Sequence, residues 1–272
     1  MKSSTHIDFS QLLAGAQAVV AEAAAKLVAM QSQPSGLRTE RKDLLDVVTE
    51  ADLAAEEIVV QGLTRLTPNA AILAEERGAS AGASDGRWII DPLDGTVNYA
   101  TGLPWFSVTA AYEVGGEVQV GVTHAPSVPL IARYVRDRLA TVNDRPVQAR
   151  ATRSLADAVV SVCLTSHFSP DDVRRTAAIV ARLGGMARGV RVVVSGGLEL
   201  ALVASGRLDG FVSIKADVVS HATGMALVRA AGGRVTNVAG VDSTLDDLEK
   251  IACAPGIHGE LVAVIRDALD AA

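Results

Sequence analysis

Residues 88–98, Trp-Ile-Ile-Asp-Pro-Leu-Asp-Gly-Thr-Val-Asn, restrict what this chain can fold into more than any other stretch. Trp88, Ile89, Ile90 and Leu93 surround two carboxylates, Asp91 and Asp94, and Gly95 and Thr96 follow at once. A short apolar run ending in acid-Pro reads as a buried strand that brings Asp91 to a cleft. Asp94 then heads a Gly-Thr turn whose backbone N–H groups would face an anion if a helix starts there. Acids at one end and open N–H groups at the other suit divalent cations bridged to a phosphate. A plain strand followed by an Asp-Gly turn accounts for Asp94 and Gly95 but leaves Asp91 and Thr96 unexplained.

At 272 residues the chain has room for one large domain or two small ones around a substantial core. With 49% hydrophobic and 21% charged residues it is expected to be globular. A net charge of −6 without a run of Lys and Arg argues against a nucleic-acid surface. It leaves anionic substrates open, because bound cations supply positive charge locally. Cys163 and Cys253 are too few for a disulfide framework or a thiolate metal site, so the cytoplasm is the expected compartment. The N-terminus lacks the layout of a signal peptide, no apolar stretch is expected to span a bilayer, and the protein is expected to be soluble.

Periodicity predicts a long packed helix over 8–31, broken by the polar loop at 32–36 with Pro34, and a second helix over 53–66. On local sequence alone Thr49 and Asp52 read as capping residues of that second helix. A short strand at 70–74 runs into Glu75 and Glu76, a pair that by itself reads as a solvated loop, and then into small residues at 79–86. Strands at 107–114 and 117–124 around Gly115 and Gly116 form a hairpin, with His124 structural. Residues 126–143 are Arg-rich and weakly patterned. From Ala151 the pattern alternates: strand 158–164, helix 170–183, strand 191–195, helix 197–205 and, after a strand at 233–237 and a turn at 251–258, a final helix to Ala271.

Asp91-Pro-Leu-Asp94-Gly-Thr96-x-Asn98 after an apolar strand resembles the signature of the inositol monophosphatase family, the lithium-sensitive, Mg²⁺-dependent phosphatases of small molecules. Further motifs agree: Lys42 ahead of Asp46-x-Val-Thr49-x-x-Asp52, Gly102 to Phe106, and Ser195 to Gly210, although Val194 stands where the family has Gly. The resemblance implies a layered αβαβα sandwich, with residues 1–150 carrying most of the metal site and 151–272 completing the substrate pocket. It assigns Glu75, Asp91 and the Leu93 carbonyl to a first Mg²⁺, and Asp91 and Asp94 to a weaker second, with Asp217 as a candidate helper. Asp52 and Thr96 would orient the attacking water, the Gly95 and Thr96 N–H groups would bind phosphate, and Lys42 would lie by the pocket. It further implies a homodimer acting on a small phosphorylated metabolite, with no nucleic-acid or membrane partner.

One departure stands out. The family reads Trp-Asp-x-Ala-Ala-Gly, and counting back from Ala231-Gly232-Gly233 its Asp, the third carboxylate of the metal cluster, becomes Ser220 here. Ser is a good helix N-cap and a poor ligand for a hard cation. Asp217 could restore the charge, a single metal could serve, or the fold could persist without the chemistry; His221 reads as an exposed helix-start residue. The expected function is hydrolysis of an inositol, sugar, cyclitol or related phosphate monoester by metal-activated water. The alternative is an altered or inactive relative that binds a phosphorylated ligand or serves a specialised biosynthetic pathway.

Overall fold

A computed structural model describes residues 7–32, 39–41 and 47–272. Its first half runs α1 (Phe9–Gln31), β1 (Thr39–Arg41), β2 (Val47–Thr49), α2 (Glu50–Leu66), β3 (Ala71–Ala74), β4 (Gly78–Ser80), β5 (Gly86–Asp94), α3 (Thr96–Ala100), β6 (Ser107–Val114), β7 (Glu117–Ala125), β8 (Leu130–Val135), β9 (Leu139–Val142) and β10 (Arg145–Pro146). The second half runs β11 (Val159–Val162), α4 (Pro170–Gly184), β12 (Gly189–Arg191), α5 (Gly196–Ala204), β13 (Gly210–Ser213), α6 (Val218–Ala230), β14 (Arg234–Thr236), β15 (Lys250–Cys253) and α7 (His258–Asp270).

Asp8 caps α1 by accepting from the Ser10 N–H at 2.9 Å, and the helix buries Leu12, Ala16, Val20, Ala23 and Leu27 at spacings of three and four. Small residues let it lie close to α2: a Cβ on Gly62 would come within 2.5 Å of the Val19 side chain. An 18-residue window of the 23-residue α1 has a mean hydropathy of 1.5, so this helix is long and apolar enough to cross a membrane, which corrects the sequence expectation. Ala16, Val20, Ala23, Ala24 and Leu27 are fully shielded inside the protein, in the cluster that holds Val59 and Trp88.

The larger sheet has strand order β10-β9-β8-β7-β6-β5-β3-β4, antiparallel except where β3 and β5 run parallel. The smaller has order β12-β11-β13-β15-β14, with β11 parallel to both of its neighbours. Period-two alternation explains how β5 serves both faces: Trp88 and Ile90 join the cluster under α1 and α2, while Ile89 joins the one shared with α5 and α6. Helices α5 and α6 lie between the sheets, and α4 and α7 cover the outer face of the smaller one. The result is a five-layer α/β sandwich.

Two sequence readings change. Residues 126–143 contain the β8–β9 hairpin, whose turn places Asp137 at φ 56°, and Asn143 and Asp144 make the next turn at φ 50° and 62°. Acid and amide residues tolerate the left-handed region and supply the turns without glycine. The strand expected over 191–195 ends instead at Arg191, because residues 192–195 must turn into α5. Val194 makes that turn at φ 62°, a conformation in which a β-branched side chain is strained.

Candidate active site

The register of β3 against β5 builds the acidic centre. Ala74 pairs with Ile90, so Glu75 leaves its strand beside Asp91. The two carboxylates are within hydrogen-bonding reach. Asp91 is 2% exposed; its Oδ1 accepts from the Leu93 N–H at 3.0 Å and its Oδ2 from the Ser220 hydroxyl at 2.7 Å. Burial, then the charges of Glu75 and Asp94, raises its pKa well above the usual carboxylate range. Behind Glu75, buried Glu56 accepts from the Glu76 N–H at 2.9 Å and pairs with Arg77 at 3.1 Å, fixing the end of β3.

Asp94 closes the same strand and points across to the second half. Its Oδ1 accepts from the Gly196 N–H at 2.9 Å, and its Oδ2 from Gly197 N–H at 2.9 Å, Ser195 Oγ at 2.7 Å and Ser107 Oγ at 2.9 Å. Most of its acceptor capacity is thus spent on the N-terminus of α5, where the helix dipole favours a negative charge. Ser107 was not singled out from sequence, and Ser195, Gly196 and Gly197 were read there only as part of a motif that supports the fold. The only signal was a hydroxyl followed by two glycines at a helix start, which names no partner.

Gly95 turns the chain at φ 95°, and a Cβ there would meet the Trp105 carbonyl at 2.7 Å. Only glycine suits that turn. Thr96 then opens α3, with the Gly95 and Thr96 N–H groups at the helix start. The Thr96 hydroxyl reaches Asp52 Oδ1 at 2.9 Å and the Leu93 carbonyl at 3.1 Å. Asp52 is fully buried, and its Oδ2 takes the Thr49 hydroxyl at 2.6 Å and N–H at 2.8 Å in a capping box. Capping and site geometry therefore coexist, one on each carboxylate oxygen. Burial raises the Asp52 carboxyl above its ordinary value despite these bonds. Lys42 lies outside the described residues.

Helix α6 differs from expectation at its start. Asp217 is the N-cap, exposed, its carboxylate accepting from the Val219 N–H at 2.9 Å. Ser220 is therefore the third residue of the helix rather than its cap, and its hydroxyl is free to reach Asp91. His221, expected exposed, is 4% exposed and packs against Phe211. Glu75, Asp91, Thr96, Asp217, Ser220 and His221 all border one cavity of about 610 Å³.

The donor set fits one hard cation: the carboxylates of Glu75 and Asp91 with the Leu93 carbonyl, water completing the shell. Such a cation would reverse the repulsion that raises Asp91. Among the described residues, no three His, Cys, Asp or Glu side chains are grouped to hold a metal by themselves. The orientation of Asp94 onto α5 accounts for this.

The chain also resembles known proteins along nearly its whole length. The sequence pattern of the inositol monophosphatase family matches residues 8–270. The chain is 34% identical to inositol-1-monophosphatase of Mesorhizobium japonicum, covering 83% of this chain and 85% of that protein. It is 35% identical to the Nus factor SuhB of Pasteurella multocida, covering 86% and 87%. The crystal structure of the extragenic suppressor protein suhB from Bartonella henselae superposes with a TM-score of 0.89 at 29% identity, covering 94% of this chain and 98% of that one.

Proposed function

This chain belongs to the inositol monophosphatase family and is a metal-dependent phosphoric monoester hydrolase of small phosphate esters, and we propose that it works with one tightly held divalent cation, Mg²⁺. The observation that carries the reading is the 2.7 Å hydrogen bond from Ser220 to Asp91 Oδ2. It occupies the oxygen that a second ion would share, at the position where a carboxylate is missing, while Asp94 is engaged by four donors.

Glu75, Asp91 and the Leu93 carbonyl would hold Mg²⁺, which supplies charge to the phosphoryl oxygens and acidifies water. Thr96, whose proton is engaged by Asp52 and the Leu93 carbonyl, keeps a lone pair for the attacking water and fixes its direction. The Gly95 and Thr96 N–H groups meet the phosphate oxygens as charge develops. Asp217, exposed on the same cavity, is the carboxylate that would serve a second ion should the Mg²⁺ dependence prove cooperative. The family resemblance supports a homodimer. Two buried, unpaired cysteines, Cys163 and Cys253, are in keeping with a cytoplasmic protein.

The test is phosphate release from a panel of sugar, inositol, nucleotide and histidinol phosphates across a Mg²⁺ titration, beside Ser220→Asp. The expected result is turnover by the natural protein with one saturating class of Mg²⁺, and a second class in Ser220→Asp. Cooperative Mg²⁺ dependence in the natural protein would overturn the one-cation reading. Silence in the natural protein with activity in Ser220→Asp would mean that the missing carboxylate has redirected this chain to ligand binding.

A further inference from the structure

His221 stands beside the acids with its chemistry unused by the steps above. It is the fourth residue of α6, almost fully buried, yet borders the same cavity as Asp91, Asp94 and Thr96. Its Nδ1 is shielded and has no hydrogen-bond partner. The ring is firmly seated. Phe211 lies against it with centroids 5.3 Å apart, and a Cβ on Gly196 would fall 2.2 Å from Nε2 and 2.5 Å from Cδ2.

Only glycine at 196 leaves room for this imidazole. Gly196 is also the residue whose N–H holds Asp94 Oδ1, and it lines the cavity with His221, so Nε2 lies against a residue of the cavity wall. Nδ1 is closed off inside the protein, so a group entering the cavity from outside the chain can pair only with Nε2. Burial, aided by the charge of Lys250, pushes the imidazole down to about 4. At neutral pH it is uncharged, with one nitrogen a donor and the other an acceptor. A hydroxyl group, itself both donor and acceptor, can meet Nε2 in either tautomer.

We propose that His221 is a substrate-binding residue whose imidazole hydrogen-bonds a hydroxyl of the alcohol part of the phosphate ester, beside the position where Ser220 replaces a carboxylate. The proposal rests on the phosphatase reading. A ligand hydroxyl takes up hydrogen-bonding capacity in the cleft wall that no metal ligand fills.

The experiment compares inositol 1-phosphate with phenyl phosphate, which has no hydroxyl, in the natural protein, His221→Ala and His221→Gln. Turnover is read with Mg²⁺, and equilibrium binding by calorimetry with Ca²⁺ in its place. The expected result is that the ratio of kcat/KM for the polyol ester over the phenyl ester falls roughly tenfold in His221→Ala, chiefly through KM, the worth of one buried hydrogen bond. His221→Gln, which keeps a donor and an acceptor, restores part of the ratio.

An unchanged ratio, or equal losses on both esters, would overturn the proposal, because a merely structural ring affects both alike. If neither ester is hydrolysed but the affinity ratio still falls in His221→Ala, the phosphatase reading fails and the role of His221 stands. If the natural protein binds neither ester, both fail.

Discussion

At the scale of single residues, the site is a set of acids whose surroundings assign them different tasks. Asp91 faces Glu75, Asp94 faces a helix, and Asp52 faces a threonine hydroxyl. Thr96→Val keeps the side-chain shape and removes the oxygen that orients water. Its kcat should fall by roughly 10²-fold with KM little changed, measured on the best ester of the panel. A KM effect alone would remove Thr96 from the water's path. The motif around Asp91 was legible because its residue types suit metal and phosphate chemistry together. The destination of Ser220 was not: a count along the chain reveals the missing carboxylate, but the partner lies 129 positions away. His221 was misjudged for the same reason, since its burial depends on a glycine contributed by another helix.

At the scale of elements, boundaries followed sequence wherever caps and periodicity agreed, as in α1 and in the β6–β7 hairpin with Gly115 and Gly116 at φ 63° and 83°. They failed where tertiary demands decided. The lead into α5 is the clearest case, because Asn98 Nδ2 donates to the Val193 carbonyl at 2.7 Å and holds the bend that puts Val194 in the left-handed region. That conformation costs a β-branched residue about 1–3 kcal/mol, against which glycine's extra unfolded-state freedom costs up to about 1 kcal/mol. Val194→Gly should therefore raise the melting temperature by a few degrees, on the order of 2–4 °C per kcal/mol in a large domain. A drop in thermal melts would mean that the valine's packing outweighs its backbone strain. The β8–β9 hairpin and the turn after it teach the complementary lesson: their turn residues were present, but as Asp and Asn among arginines rather than as glycine.

At the scale of the whole molecule, buried ionisable groups link stability to pH. The Glu199 carboxyl, enclosed between Ser161 and the Ser195 N–H, is pushed up to about 7, chiefly by burial. A carboxyl raised on folding holds its proton more tightly in the native state, so its contribution is complete below its unfolded value of 4.5 and is lost as pH climbs to about 7. Asp52, Asp91 and Asp94 are raised too and act in the same sense. His221 opposes them, since lowering from 6.5 to about 4 adds stability as pH rises across that interval, and His124 and His258, also lowered by burial, act with it. The raised acids, Glu56 among them, outnumber these three. With a chelator present, the melting temperature should fall between about pH 5 and pH 7.5, and Mg²⁺ should raise it more at the upper end, where its ligands are ionised. A chelated protein that melts later at the higher pH would contradict this balance. The four donors on Asp94 also act as a rivet through the seam between the sheets, because Ser107 belongs to one side and Ser195, Gly196 and Gly197 to the other. Parting the halves would strip a buried charge of its partners. Exchange of ligand with the cleft is therefore expected to leave this seam closed, with no swing of one half against the other.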